Sequence, residues 1–139
     1  MAMNFEKFQE YIENRYNFGV MPDATVVAEV GNEKCGDATQ LYLRIKDSII
    51  EDAKYFSFGC GFATVVGVIL TQLIKGKPVS FLAEVTPEMI ESELGEFPQA
   101  KAHYSNLGAR LAQEALAKCI EAKLVNGDGS EVFCKDNRK

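Results

Sequence analysis

The segment YFSFGCGFATVVG, residues 55–67, changes from one structural pattern to another around a single thiol. A strand-like run ends at Phe58, and a longer apolar run follows, with Cys60 between two glycines at the junction. The apolar run ends in KGKP, residues 75–78, which is typical of a helix end, so we predict a helix there. Free N–H groups at the start of that helix would favour the thiolate form of Cys60. The glycines could instead serve only to form a tight turn.

The sequence on both sides of this junction predicts an α+β fold. We expect a small three-stranded antiparallel sheet with an N-terminal helix and a helical layer packed on one face. Alternating apolar residues predict the strands, and a turn at KDS, residues 46–48, joins the last two strands as a hairpin. Apolar residues at helical spacing predict the helices, with Asn4 and Thr86 as N-caps of the first and third. The predicted strands are residues 25–31, 39–46 and 49–58, and the predicted helices are 4–16, 61–75, 86–95 and 105–124.

Length, composition and charge exclude several classes of protein. The 139 residues predict a single domain, 1–139, of ordinary globular composition. A net charge of −5 argues against nucleic-acid binding, which needs clustered lysine and arginine. The longest apolar stretch is about half of what a membrane span needs, and the first residues show no secretion signal. We therefore expect a cytoplasmic protein that binds neither nucleic acid nor membrane, as a monomer or weak homo-oligomer.

Four side chains at predicted junctions between loops and regular elements are candidate metal ligands. Cys35 and Asp37 lie two residues apart in GNEKCGDAT, residues 31–39, so in extended chain they would point the same way. His103, the only histidine, stands before the last helix in a connection that we predict to be irregular. Together with Cys60 they would supply the four ligands of a tetrahedral metal site. Taken separately, a turn aspartate and a lone histidine are more often structural.

The other two cysteines have simpler interpretations. No C-x-x-C pair occurs, which excludes zinc-ribbon and thioredoxin-like sites. Cys134 lies in a polar C-terminal tail and is expected to be an exposed thiol. Cys119 is expected to pack in the core, because it lies on the apolar stripe of the last helix. That stripe comprises Leu107, Leu111, Ala115, Cys119 and Ala122.

Three motifs, in order and spacing, resemble those of the NifU/IscU family of iron–sulfur cluster assembly scaffolds. The first is VGNEKCGDATQLYLRI, residues 30–45, and the second is IIEDAKYFSFGCGFA, residues 49–63. The third is FPQAKAHYSNLGARLAQEAL, residues 97–116, where proline, lysine and histidine lead into the last helix. In addition, KGKPV, residues 75–79, is similar to the end of the family's central helix. The resemblance covers nearly the whole chain.

The resemblance implies a scaffold or carrier and not an enzyme. Such a protein receives sulfide from a cysteine desulfurase, assembles a two-iron two-sulfur cluster, and passes it to apo iron–sulfur acceptor proteins. Transferred position by position, the resemblance implies Cys35, Asp37, Cys60 and His103 as ligands of iron, of the cluster or of zinc.

Two departures from the family pattern affect this site. The third cysteine of the family, directly after the histidine, is Tyr104 here, while Lys101 is retained. We take Lys101 and Tyr104 as accessory residues, because a phenol is a harder and weaker ligand than a thiolate. The small residues that usually follow the second cysteine are also replaced, by Phe62, Val65 and Val66. The remaining four ligands would suit zinc, or a labile cluster in which imidazole replaces thiolate as in Rieske centres.

Two other hypotheses remain open at this stage. The loss of the third cysteine fits a degenerate scaffold homologue that binds or regulates a cysteine desulfurase without building clusters. A hydrolase that uses Cys60 and His103 is the weakest of the three, because nothing in the sequence supplies an orienting acid and an oxyanion site together.

Overall fold

The computed structural model describes residues 4–32, 37–58, 61–95 and 103–122, and at positions 32, 37, 58, 103 and 105 it describes the backbone alone. The three strands are β1 (Val26–Asn32), β2 (Asp37–Lys46) and β3 (Ile49–Phe58). The α-helices are α1 (Phe5–Asn14), α2 (Gly61–Ile74), α3 (Pro87–Leu94) and α4 (His103–Glu121), and a 3₁₀ helix, Val79–Glu84, precedes α3.

The strands form one antiparallel sheet in the order β1-β2-β3, as predicted. The turn between β2 and β3 is made by Asp47 and Ser48, whose φ angles are 54° and 66°. Two consecutive positive φ angles give the turn the twist that a two-residue hairpin loop needs. Apolar positions of the alternating strand pattern, among them Ala28, Leu41 and Leu43, are completely buried on the face that carries the helices, whereas Ile45 is half-buried.

Helix α2 lies at the centre of the helical layer, and its packing explains its composition. Nine consecutive residues, Ala63–Thr71, are buried, so almost the whole circumference of the helix is apolar. Gly67 lies directly against the ring of Tyr55 on β3, and a Cβ added there would meet Cγ of that ring at 2.6 Å. Gly108 makes a similar approach on α4, where a Cβ would lie 2.9 Å from Cδ1 of Ile90 on α3.

The structure corrects several predicted boundaries. Helix α1 ends at Asn14 and not near Tyr16, because Arg15 takes a left-handed conformation and its N–H bonds to the Tyr11 carbonyl. Helix α4 begins two residues earlier than predicted, so His103 is helical and does not lie in an irregular connection. The 3₁₀ helix was not predicted, and the buried stripe of α4 ends at Cys119, since Ala122 is exposed.

Both predicted N-caps are confirmed. The Asn4 side chain accepts a hydrogen bond from the N–H of Lys7 at 3.0 Å, and Thr86 accepts one from Met89 at 3.3 Å. None of the helices in the described ranges is long and apolar enough to cross a membrane.

A cluster of charges joins β2 and β3 to the end of α2. Asp52 accepts hydrogen bonds from Nζ of Lys75 at 3.2 Å and from the N–H of Ala53 at 2.9 Å, and it faces the guanidinium of Arg44 at 3.7 Å. Burial alone would raise the pKa of Asp52, but these hydrogen bonds and the two cations hold the pKa below its usual value. The ionised carboxylate therefore stabilises the fold.

We expect Gly67→Ala to lower the free energy of unfolding by about 1–3 kcal/mol, although alanine is the better helix former, because the added methyl would collide with the Tyr55 ring. Gly108→Ala is the matched control, and a smaller loss is expected because the nearest atom is the end of a flexible side chain. Urea denaturation measures both. An equal effect of the two substitutions would contradict this account of α2 packing.

We expect Asp52→Asn to lower the free energy of unfolding by about 0.5–1 kcal/mol at pH 7. Because the folded-state pKa of Asp52 lies below its unfolded value, its contribution is fully present above about pH 4 and disappears as the pH falls through the folded pKa. The variant and wild type should therefore converge once the pH falls below the folded-state pKa of Asp52. Asp23→Asn removes a more exposed partner of Arg44 and should change stability less at every pH. A difference that persists unchanged to low pH would exclude the carboxylate as its source.

Candidate metal and cluster site

One end of the sheet brings the start of β2 next to the end of β3. In the strand register, Asp37 is paired with Asn32 of β1, and Ala38 is paired with Phe58, the last residue of β3. Paired residues in an antiparallel sheet have Cα atoms about 4.5–5.5 Å apart. Three strand ends therefore meet at this edge.

The first turn of α2 follows this edge closely, since only two residues separate Phe58 from Gly61. Helix α1 packs against that turn. A Cβ added to Gly61 would lie 2.7 Å from Cδ1 of Ile12, and the rings of Phe8 and Phe62 have centroids 4.8 Å apart. The described first turn of α2 carries no acidic side chain, and the positive end of the helix dipole lies there.

The first turn of α4 lies beside the first turn of α2. The ring of Tyr104 stacks on the ring of Phe62, with centroids 5.9 Å apart and planes 23° apart. Tyr104 is only 1% exposed. The start of α4 is therefore held by a buried aromatic contact next to the start of α2.

The predicted ligands differ in what the structure describes of them. Asp37 is the first residue of β2 and His103 is the first residue of α4, and for both the backbone alone is described. Cys35, Cys60 and Lys101 lie outside the described residues, as does Cys134. Among the side chains that are described, no three histidine, cysteine or acidic groups lie close enough together to hold a metal ion. The four-ligand set therefore stays a prediction.

Cys119 is not part of this end of the molecule. Its side chain is completely buried in the core, and burial raises the pKa of its thiol to about 12. A thiol with such a pKa stays protonated at neutral pH and is a poor ligand and a poor nucleophile. The prediction that Cys119 serves packing is confirmed.

Residues 3–124 match the sequence profile of the NifU-like N terminal domain. The chain belongs to this family. The assignment made from the three motifs is therefore confirmed.

Individual relatives agree with the family assignment. The chain is 37% identical over 113 residues to the iron–sulfur cluster assembly scaffold protein IscU of Aquifex aeolicus. This alignment covers 80% of this chain and 72% of the relative. It is 35% identical over 114 residues to an iron–sulfur cluster assembly scaffold protein IscU of Archaeoglobus fulgidus, and this alignment covers 82% of this chain and 74% of the relative. A solved protein of Fervidobacterium islandicum has the same fold, with a TM-score of 0.60 at 20% identity, over 80% of this chain and 94% of that one.

Sequence reasoning noted Phe62 and Tyr104 only as departures from the family pattern and missed that they touch. It also missed that Phe8 of α1 extends the stack. The sequence carried one signal of this contact. It has bulky aromatic residues where the family resemblance expects a small residue, at position 62, and a cysteine, at position 104.

We expect Tyr104→Cys to lower the free energy of unfolding by about 3 kcal/mol, because it removes a buried ring from its stack with Phe62. Tyr104→Phe keeps the ring and should cost less than about 1.5 kcal/mol. Denaturant unfolding of the metal-free protein measures both. If the cysteine variant were as stable as the phenylalanine variant, Tyr104 would not be a packing residue.

Proposed function

We propose that this chain is an iron–sulfur cluster assembly scaffold or carrier, which holds iron, a labile two-iron two-sulfur cluster or zinc at Cys35, Asp37, Cys60 and His103. The observation that carries the proposal is the meeting of four element ends: the start of β2, the end of β3, and the first turns of α2 and α4. Relatives that are named iron–sulfur cluster assembly scaffolds support it.

Chain connectivity limits how far the two cysteines can lie from this edge. A residue pair two apart in sequence spans at most about 7 Å, which applies to Cys35 from Asp37 and to Cys60 from Phe58. Asp37 and Phe58 flank the same end of the β2–β3 ladder. Chain connectivity is therefore compatible with the proposal that the two thiols share one site near that end.

The ligand set suits a soft or borderline metal ion as cargo. Thiolates bind iron and zinc well, and carboxylate and imidazole complete a tetrahedral site for zinc. The first turn of α2 supports a thiolate at position 60, because the helix dipole and unbonded N–H groups favour negative charge there. The protein's task is to hold and release the cargo, which fits a site with two non-sulfur ligands better than one with four thiolates.

Two kinds of partner follow from this function. A cysteine desulfurase would supply sulfide, and apo iron–sulfur acceptor proteins would receive the cluster. Lys101, next to the site in sequence, is an accessory residue in this proposal. The protein acts as a scaffold and not as an enzyme.

Tyr104 supports a second candidate. Its ring is buried and stacked where the family resemblance expects a third cysteine, so this position offers no thiolate and no site for sulfur transfer. A degenerate homologue that binds or regulates a desulfurase without building clusters would have this property.

Anaerobic reconstitution with iron, sulfide and a cysteine desulfurase distinguishes the two. For the scaffold we expect visible absorption and bound iron in wild type, and the loss of both in Cys35→Ala and Cys60→Ala. Cys119→Ala is the matched control and should keep the colour, because that thiol is buried in the core. Cys134→Ala tests whether the tail replaces the missing thiol.

The outcomes separate the candidates. No metal but tight binding of the desulfurase would favour the degenerate homologue, as would zinc alone. Retained colour in both Cys35→Ala and Cys60→Ala would exclude the proposed site. Tyr104→Cys, measured at a temperature where it is folded, should raise the cluster yield if that position is the missing ligand.

A further inference from the structure

Three aromatic rings connect α1 to α4 across the start of α2. Phe8 of α1 packs on Phe62 of α2 with ring centroids 4.8 Å apart and planes 55° apart. Phe62 in turn stacks on Tyr104, at 5.9 Å and 23°. We call this set of three rings the aromatic latch. It is continuous from the N-terminal helix to the first turn of α4.

Among the described residues, the other apolar contacts of helix α1 come from Tyr11 and from Ile12, which packs on the start of α2. Tyr11 is its only buried residue, and Phe5 is 69% exposed. Near its start, the N–H of Asn4 donates to the Leu94 carbonyl, and Lys7 forms an ion pair with Glu93 at 3.3 Å. Both side chains of that ion pair are more than a third exposed, so it is screened by solvent.

The chain after α1 is held much more firmly. Asn17 accepts a hydrogen bond from the N–H of Tyr55 on β3 and donates one to the buried hydroxyl of Thr71 on α2, both at 3.0 Å. Arg15, between α1 and this anchor, has a φ angle of 47°. The hydrogen bonds of Asn17 to β3 and α2 do not involve α1, so opening of α1 does not require them to break.

Regions with few buried apolar contacts open at lower free energy than the core. Helix α1 meets this description, whereas Leu41 and Leu43 of β2 and the middle of α2 are buried in the core. Tyr104, at the start of α4, packs on Phe62, and the ring of Phe62 packs in turn on Phe8. Loss of α1 would therefore leave the first turn of α4 without part of its support.

We propose that α1 is a clasp, which through the aromatic latch of Phe8, Phe62 and Tyr104 holds the first turn of α4, so that the two open together while the sheet stays folded. The effect of this opening on the bound metal or cluster rests on the proposed function, in which His103, the first residue of that turn, is a ligand. Opening of the clasp would then loosen one predicted ligand. The clasp itself requires no metal.

Hydrogen exchange of the metal-free protein, followed amide by amide, tests the clasp. In α4 the first amides with acceptors inside the helix are those of Leu107 and Gly108, since the first four N–H groups have none. We expect these two amides to share one opening free energy with the amides of Tyr11 and Ile12 in α1. Their protection should be at least about tenfold lower than that of Leu41 and Leu43 in β2.

Substitutions in α1 separate coupling from independent fraying. Phe8→Ala should speed exchange in α1 and at Leu107 and Gly108 by the same factor, about tenfold. Phe5→Ala removes the same ring from an exposed position of the same helix and should change exchange less than about twofold. Phe8→Leu, a milder change, serves if the alanine variant does not fold. Unchanged exchange at Leu107 and Gly108 in a variant that speeds exchange in α1 would overturn the clasp.

Hydrogen exchange measured with added zinc distinguishes failure of the clasp from failure of the proposed function. If zinc binds only the closed form, added zinc should slow exchange in α1 and at the start of α4, in proportion to zinc bound. Zinc that binds without slowing exchange in α1 would refute the link between clasp and cargo. Absence of zinc binding would count against the proposed zinc site alone, since the coupling is measured without metal.

Discussion

The close contact between Gly67 of α2 and Tyr55 of β3 is the constraint on which the rest of the structure depends. Because glycine has no side chain, the helix axis can approach the sheet closely enough to bury Ala63–Thr71 on nearly all sides. The other helices then pack around α2. Gly108 allows α4 a similarly close approach to Ile90 of α3 and to Val66 of α2.

This central position of α2 determines what can happen at its start. The first turn of α2 stands where β2 begins and β3 ends, and α1 and α4 reach it from their own ends. An edge of this kind is rich in backbone groups that the regular elements leave unpaired, and it faces the positive end of a helix dipole. Those are conditions that favour anionic ligands such as thiolates and carboxylates.

The same edge is stabilised by the residue at position 104. At position 104 a cysteine would offer a soft ligand, whereas the tyrosine present buries a large ring against Phe62. A buried aromatic pair adds stability that a lone thiol cannot supply. The aromatic latch thus strengthens the joint between α1, α2 and α4 at the position where the family resemblance expects a third thiolate.

The sequence by itself determined the element order, the sheet, the N-caps at Asn4 and Thr86, and the family, because these depend on local periodicity and on contiguous motifs. It misjudged the end of α1, because a left-handed Arg15 has no signature comparable to glycine. Only the tertiary structure decided that Phe8, Phe62 and Tyr104 meet, since residues so far apart in the chain are brought together by the packing of three helices. Local sequence patterns specify elements, whereas contacts between elements depend on how their buried surfaces fit.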